Sequence, residues 1–425
     1  MILTIVLIFA FFGILGMPLA FALGLAGLAG ILVGDFPPIQ LAGKAVNSID
    51  SFPLMSIPLF MLAGQLLLRG GIMERLIEWA NVVVGRVKGG LGHVTVVAAM
   101  GLSSVSGTAV ADATALGGTL GPALTKAYGK AFGAALVAAA SCLGPIIPPS
   151  AGMIVYAILA EQVSVGAMFI AGIVPGILLG FGMMGLCTYY AHKRNYPTTG
   201  VPFNWKNVLH ETRRSFIVFL CPILVIGGII GGVFTATEGA AIAVFYAMLI
   251  GFFVTKKLKV SDLPIALLNA GIVSAIVGAL IAFASQVTYL LTAEMVGVQI
   301  GEWLRALTQD PLMFTFIVQI LLIIVGMLME ANAAYVMLVP IISPIAVQYG
   351  IDPVYFGFLF VMNITLGSIT PPVGVLLFVA SGIWRVDIMD IIREVWPFII
   401  VQYAVLFVCM LFPQIVLFLP KLVGY

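Results

Sequence analysis

Residues 101–122, GLSSVSGTAVADATALGGTLGP, and residues 143–150, LGPIIPPS, decide how this chain is read. They interrupt a sequence that is otherwise close to continuous hydrocarbon. A single spanning helix would leave Ser103, Ser104, Ser106, Gly107, Thr108 and Asp112 in lipid, whereas a hairpin turning near Ser106 and Gly107 gives them a protected cavity. Packing of small residues between helices is the plainer explanation for serine and glycine alone. A second, divergent copy about 222 residues later argues against it: Ser343-Pro344 matches Gly121-Pro122, Tyr349-Gly350 matches Tyr128-Gly129, and LGSITPP at 366–372 matches LGPIIPP at 143–149. Paired, interrupted, polar membrane segments point to a secondary transporter.

The composition fits that reading. Of 425 residues, 62% are hydrophobic and 8% charged, against roughly 25% charged in a soluble domain. The chain is therefore an all-α polytopic membrane protein, with room for on the order of ten crossings. Its basic residues fall in short clusters between apolar runs, a topology signal rather than a nucleic-acid surface. Four scattered cysteines without CxxC spacing (Cys142, Cys187, Cys221, Cys409) read as buried small side chains, not a disulfide or metal framework.

Neither proline-rich stretch can be continuous helix. Pro145, Pro148 and Pro149 lack a donor and disturb the preceding turn, as do Pro371 and Pro372. Two helices broken at mid-membrane leave carbonyls for a cation and N–H groups for a carboxylate. Gly144 and Ser150 flank the first break; Gly367, Ser368 and Thr370 flank the second. A second hairpin is predicted in MLMEANAAYVMLVPIISP, turning at Glu330–Ala333, with Glu330 and Asn332 polar at membrane depth. Asp112 and Glu330 fit three roles: ion ligand, proton-coupling group, or brace for a hairpin tip. Spacing does not choose among them. Glu238, at the start of an apolar run after Thr235-Ala236-Thr237, reads as a residue that caps a helix at the interface.

The N-terminal 33 residues lack a basic start and read as one membrane helix kinked at Pro18. Residues 72–88 form a short amphipathic segment that either crosses or lies along the interface. Counting it as crossing gives five crossings and one re-entrant segment per half, joined by the polar link 193–214. An odd number inverts the second copy. With the N-terminus outside, only Arg69, Arg75, Arg305 and Lys421 of the 19 basic residues fall outside, in accord with the positive-inside rule. Intramembrane serine hydrolysis lacks a base near Ser103, Ser104 or Ser106, and no phosphate-binding loop or metal-ligand cluster is present in the sequence.

The motifs SSVSGTAVADATALGGTLGPAL, LGPIIPPS, MLVPIISPIA and LGSITPPVG, in this order, resemble the large membrane subunit (DctM or M type) of the tripartite ATP-independent periplasmic (TRAP) transporters. The likeness covers essentially the whole chain. It implies an elevator-type, ion-coupled fold of two inverted repeats in the bacterial cytoplasmic membrane. Scaffold helices would occupy 1–88 and 215–310, and transport-domain segments 89–192 and 311–425. It further implies sodium as coupling ion, a small Q-type membrane subunit and a periplasmic binding protein as partners, and no other cofactor. Carried over by motif, one sodium site uses Ser103, Ser106, Gly107, Gly144 and Pro145, the other Glu330, Asn332, Ala333, Gly367, Ser368 and Thr370. Substrate contacts fall to Ser104, Thr108, Pro148, Pro149, Ser150, Pro371 and Pro372, and Asp112 is a structural or coupling acid. MEANAAYVML departs from the pattern expected after the second acid. The family's substrates include C4-dicarboxylates and sialic acids, and the general likeness leans toward a sialic acid.

Overall fold

The computed structural model describes residues 1–160, 162–198 and 204–425. Among these, eight helical stretches are long and apolar enough to cross a bilayer. The first half comprises α1 (Ile2–Ile14), α2 (Leu19–Gly34), α3 (Ile39–Ile49), α4 (Ser56–Arg69), α5 (Ile72–Val84), α6 (Gly90–Ser106), α7 (Ala109–Tyr128), α8 (Lys130–Ser141), α9 (Ala151–Ala160) and α10 (Val165–Lys193). The second comprises α11 (Trp205–Ile230), α12 (Ala236–Leu249, continued by a π turn to Val254), α13 (Leu263–Ala293), α14 (Val296–Leu307), α15 (Pro311–Leu328), α16 (Ala331–Gln348), α17 (Pro353–Gly367), α18 (Val375–Trp384), α19 (Ile388–Leu411) and α20 (Pro413–Val423).

The N-terminal stretch corrects the sequence expectation. It is not one helix kinked at Pro18 but two antiparallel helices: a Cβ on Gly30 would meet Ile5, and one on Gly34 would meet Met1. Gly16, at φ +81°, and Pro18, in an extended conformation, reverse the chain between α1 and α2. A left-handed φ is open to glycine at little steric cost, and proline begins a helix more readily than it continues one. Hydropathy alone does not separate the two arrangements.

In the first half, α3, a 3₁₀ turn at Phe52–Met55 and α4 run antiparallel to the 31-residue α13 of the second half. The Gln286 side chain donates to the Leu41 carbonyl at 3.3 Å, and the Ser285 hydroxyl to that of Lys44 at 3.2 Å. One end of the molecule, here the linker end, gathers the C-terminus of α4, the end of α10 and the start of α11. There a Cβ on Gly70 would lie 3.4 Å from the Gly251 Cα, and the Lys88 ammonium donates to the Asn195 amide oxygen at 2.8 Å.

Because α5 begins and ends at the linker end, it does not cross; it lies there as a brace. Lys257 pairs with Glu74 at 3.0 Å and Arg214 with Glu78 at 2.8 Å, tying α5 to the segment after α12 and to α11. Five end-to-end passes per half still result, since the N-terminal stretch supplies two. The odd number, and hence the inversion, is preserved. Only Lys44, Arg305 and Lys421 of the 19 basic residues lie toward the opposite end, where the N-terminus sits. Arg69 and Arg75 join the majority, and Lys44 leaves it. The polar link is also shorter than 193–214, because Asn204 caps α11; residues 199–203 of it lie outside the described residues. Beyond α19, Pro413 starts a separate short helix rather than an extension.

Each broken helix is built from two short pieces. With a rise of 1.5 Å per residue, the 12 residues of α8 and the 10 of α9 extend about 18 Å and about 15 Å. Neither piece spans a hydrocarbon core of about 30 Å, and their junction falls near its middle. The repeats interlock: α7 packs on α18, and α16 packs on α9. Gly117 and Gly121 of α7 make room for Trp384, and Gly152 of α9 for Tyr335. All four cysteines are buried and unpaired. Large apolar side chains such as Phe181, Ile223 and Leu267 remain exposed on the perimeter, as expected of a lipid-facing surface.

Candidate functional site

The first hairpin turns where the sequence predicts. Gly107 ends α6 with φ +63°, and Thr108, extended, precedes α7. Asp112, on the first turn of α7, is fully buried beneath the tip. Its carboxyl group accepts from the Ser103 hydroxyl at 3.0 Å and, through the other oxygen, from the Ser106 hydroxyl. The geometry is that of a brace, drawing both arms of the hairpin onto one side chain.

The break between α8 and α9 is fitted directly against this tip. The Ala151 N–H donates to the Gly107 carbonyl at 3.3 Å. A Cβ on Gly144 would lie 2.7 Å from Asp112 Oδ2 and 2.9 Å from the Thr108 carbonyl oxygen, so only glycine fits. Ser150 closes the break by donating to the Pro145 carbonyl at 2.6 Å and accepting from the Met153 N–H at 3.3 Å. The Pro148-Pro149 and Pro371-Pro372 bonds are both cis.

The second tip lies one to two residues earlier than predicted, at Met329 and Glu330. Glu330 is the N-cap of α16, accepting from the Ala333 N–H at 3.2 Å, and it also receives the Asn332 amide at 2.8 Å. The Gly374 N–H reaches the Met327 carbonyl at 3.5 Å, the counterpart of the Ala151–Gly107 strap. A Cβ on Gly367 would lie 2.5 Å from the Gly326 Cα, so α15 and α17 meet glycine to glycine. The Thr370 hydroxyl is engaged by the Leu366 carbonyl at 2.9 Å and by Tyr403 at 3.3 Å. Behind the tip, the Asn363 amide donates to the Gln319 side chain at 2.6 Å.

Both tips and both breaks border one cavity of about 850 Å³. Ser106, Gly107, Thr108, Pro145, Glu330, Asn332 and Ser368 line it. Of the other predicted site residues, Ser103, Asp112, Gly144 and Ala333 lie in the layer behind the wall. Ser104, Pro148, Pro149, Ser150, Gly367, Thr370, Pro371 and Pro372 are likewise off the lining. Ser104 turns back to the Gly101 carbonyl at 2.7 Å. The opposite wall comes from α4, α5 and α13, through residues such as Gly64, Gln65, Arg69, Glu74 and Asn269, which sequence reasoning missed. Gln65 and Arg69 share a helix face at i, i+4, but that spacing reads equally as an ordinary helix end. Gly64 lets the first tip come close: a Cβ there would lie 3.2 Å from the Ser106 Cα.

The cavity is not symmetric. On the N-terminal side α16 packs against α13 and α14, whereas on the linker side Thr114 and Thr119 of α7 face open space shared with α4 and α5. The space therefore opens toward the linker end.

Residues 6–415 match the family model described as "Tripartite ATP-independent periplasmic transporter, DctM component". The chain belongs to the DctM family. It is a large-subunit-type, multi-pass membrane permease, and the family comprises transporters rather than enzymes. Among its relatives, this DctM chain is 39% identical over 412 residues to the isethionate TRAP transporter permease protein DctMQ of Oleidesulfovibrio alaskensis, matching 96% of this chain and 65% of that protein. It therefore spans less than two thirds of that relative's length. It is 35% identical over 406 residues to the C4-dicarboxylate TRAP transporter large permease protein DctM of Pseudomonas aeruginosa, covering 95% of this chain and 94% of that one. The sialic acid TRAP transporter large permease protein SiaM of Vibrio cholerae is 32% identical, with 98% and 99% covered. Among solved structures, the Alcanivorax borkumensis YdaH transporter superposes with TM-score 0.64 at 16% identity over 87% of this chain and 86% of that one, a likeness of fold.

Proposed function

We propose that this chain is the membrane-embedded carrier of a sodium-coupled importer for a small organic acid, working with a small membrane subunit and a soluble periplasmic binding protein. The observation that carries the reading is the single cavity bordered by both hairpin tips and both helix breaks, closed at one end and open at the other. Relatives named for isethionate, C4-dicarboxylates and sialic acid support the substrate class. The helix N-terminus at Thr108 faces the cavity with backbone donors suited to an acid group.

Sodium is the proposed co-substrate. Serine hydroxyls, tip and break carbonyls, and Asp112 and Glu330 provide the hard oxygen donors that a small cation takes. In this reading a cation entering at the tips fixes their geometry and offsets the acidic groups, and the organic anion then binds. The proposed motion is of the elevator type, with the interlocked α6–α9 and α15–α18 sliding against α4, α12 and α13; the asymmetry of the cavity supports an exchange between two open sides. We assign the linker end to the cytoplasm of the inner membrane, since it holds nearly all the basic residues. That assignment makes the N-terminus periplasmic and the cavity inward-open.

Uptake into proteoliposomes tests the proposal, using labelled succinate, isethionate and N-acetylneuraminate, with and without a sodium gradient and a binding protein. Accumulation of one acid that needs both supports the tripartite reading. Uptake driven by sodium alone identifies a self-sufficient carrier instead, and unsaturable, uncoupled ion flux identifies a channel.

A further inference from the structure

The wall opposite the hairpins carries one unanswered charge. Arg69, in the last turn of α4, is the only cationic residue among those lining the cavity, and it makes no hydrogen bond or ion pair among the described residues. Its Nε is shut off from solvent without a partner. The helix dipole favours an arginine in a last turn, but that accounts for the charge and not for a sealed, unused donor in a cavity wall. A guanidinium offers five donors in a planar fork, and leaving a buried one unmet is unfavourable.

Both acids lining the cavity are already engaged. Glu74 is held by the Lys257 ammonium at 3.0 Å, and Glu330 caps α16 and takes the Asn332 amide at 2.8 Å. Neither acid forms an ion pair with Arg69 among the described residues. Gln65, one turn earlier on the same face, and Asn269 on the neighbouring α13 line the same part of the wall with further polar groups.

We infer that Arg69 is the anion-recognition residue of the scaffold wall, its guanidinium receiving the carboxylate or sulfonate of the transported acid in the open state seen here. The inference rests on the transporter reading above and adds to it a specific contact, placed on α4 rather than on the hairpins. Since α4 packs with α12 and α13 and not with the interlocked hairpin body alone, such a contact forms only in the position where the cavity faces the linker end. Arg69 would thus set affinity on the release side, and anionic acid groups that accept two hydrogen bonds at once would be preferred over neutral analogues.

The test is direct binding to the purified full-length chain in sodium-containing detergent solution, titrated with succinate, isethionate and N-acetylneuraminate. For the acid that wild type binds, Arg69→Gln is expected to weaken affinity by about ten- to a hundredfold. Arg69→Lys, which keeps charge but loses the fork, is expected to fall between. Sodium-induced thermal stabilisation of both variants should match wild type, showing an intact fold. Equal affinity in wild type and Arg69→Gln overturns the inference and leaves the transporter reading standing. If Arg69→Gln fails to fold, Arg69→Lys decides: affinity equal to wild type overturns the role of the fork. Wild type that binds none of the three acids overturns the reading of this chain as a carrier of acids of these classes, and this inference with it.

Discussion

Replacing Gly144 by alanine puts a methyl group in place of one hydrogen at the most crowded point of the first site. The new Cβ would stand 2.7 Å from Asp112 Oδ2 and 2.9 Å from the Thr108 carbonyl oxygen and carbon. Ordinary carbon contacts need about 3.5 Å or more, so the tip and the break must part by about 0.6–0.8 Å. Neither neighbour yields readily. Thr108 contributes backbone, and the Asp112 carboxyl is pinned by Ser103 and Ser106. Overpacking of this kind costs about 1–3 kcal/mol, which lowers affinity for any ligand needing the closed arrangement by about five- to 150-fold. Gly118, on the same α7 but with nothing within 4 Å, is the matched control. Alanine there should leave function alone and stabilise the helix by about 0.5–1 kcal/mol. The assay is sodium-dependent uptake in proteoliposomes beside sodium-dependent thermal stabilisation of the purified protein. Gly144→Ala behaving like Gly118→Ala in both would refute the proposal that the tip–break junction is the ion site.

Other outcomes follow from the same geometry. Asp112→Ala leaves the Ser103 and Ser106 hydroxyls without their shared acceptor and opens a buried void; a melting measurement should show destabilisation by about 2–4 kcal/mol, with Asp112→Asn milder. Asp35→Cys should react with a membrane-impermeant maleimide in intact cells and Lys206→Cys only after permeabilisation, against a background of four buried native cysteines; the reverse pattern overturns the orientation. Thr235→Ala removes the capping box that Thr235 and Glu238 form at the start of α12, and calorimetry should register a loss of about 0.5–2 kcal/mol without a change in transport.

The features that were legible in the sequence share one property: a residue type that tolerates only one local conformation. Gly107 at the tip, the prolines of both breaks, and the repeat that aligns them located the hairpins, and Glu238 announced a cap. Where several conformations suit the same composition, the reading failed. Thirty apolar residues at the N-terminus fit one helix or two, and the choice rests on Gly16 taking a left-handed φ. The amphipathic face of α5 fits a crossing or a brace, and its partners, Lys257 and Arg214, are more than a hundred residues distant. The scaffold wall was invisible for a related reason. Gly64, Arg69 and Asn269 become neighbours of the hairpin tips only through packing, and no local pattern marks them.

The interlocking of the repeats bears on how the protein is made. Tyr335 covers Gly152, and Trp384 fills the space beside Gly117 and Gly121, so the first half of the site is roofed by residues of the second. When the ribosome has delivered only the first half, α7 and α9 lie in the membrane with their contact faces bare, for at least the roughly ten to forty seconds that about 200 further residues require. Insertion of the first half must therefore tolerate a glycine-lined surface on α7 and α9 before its lids exist. The broken helices cannot settle in the order in which they are synthesised, and assembly of the site becomes one of the last events in the life of the nascent chain.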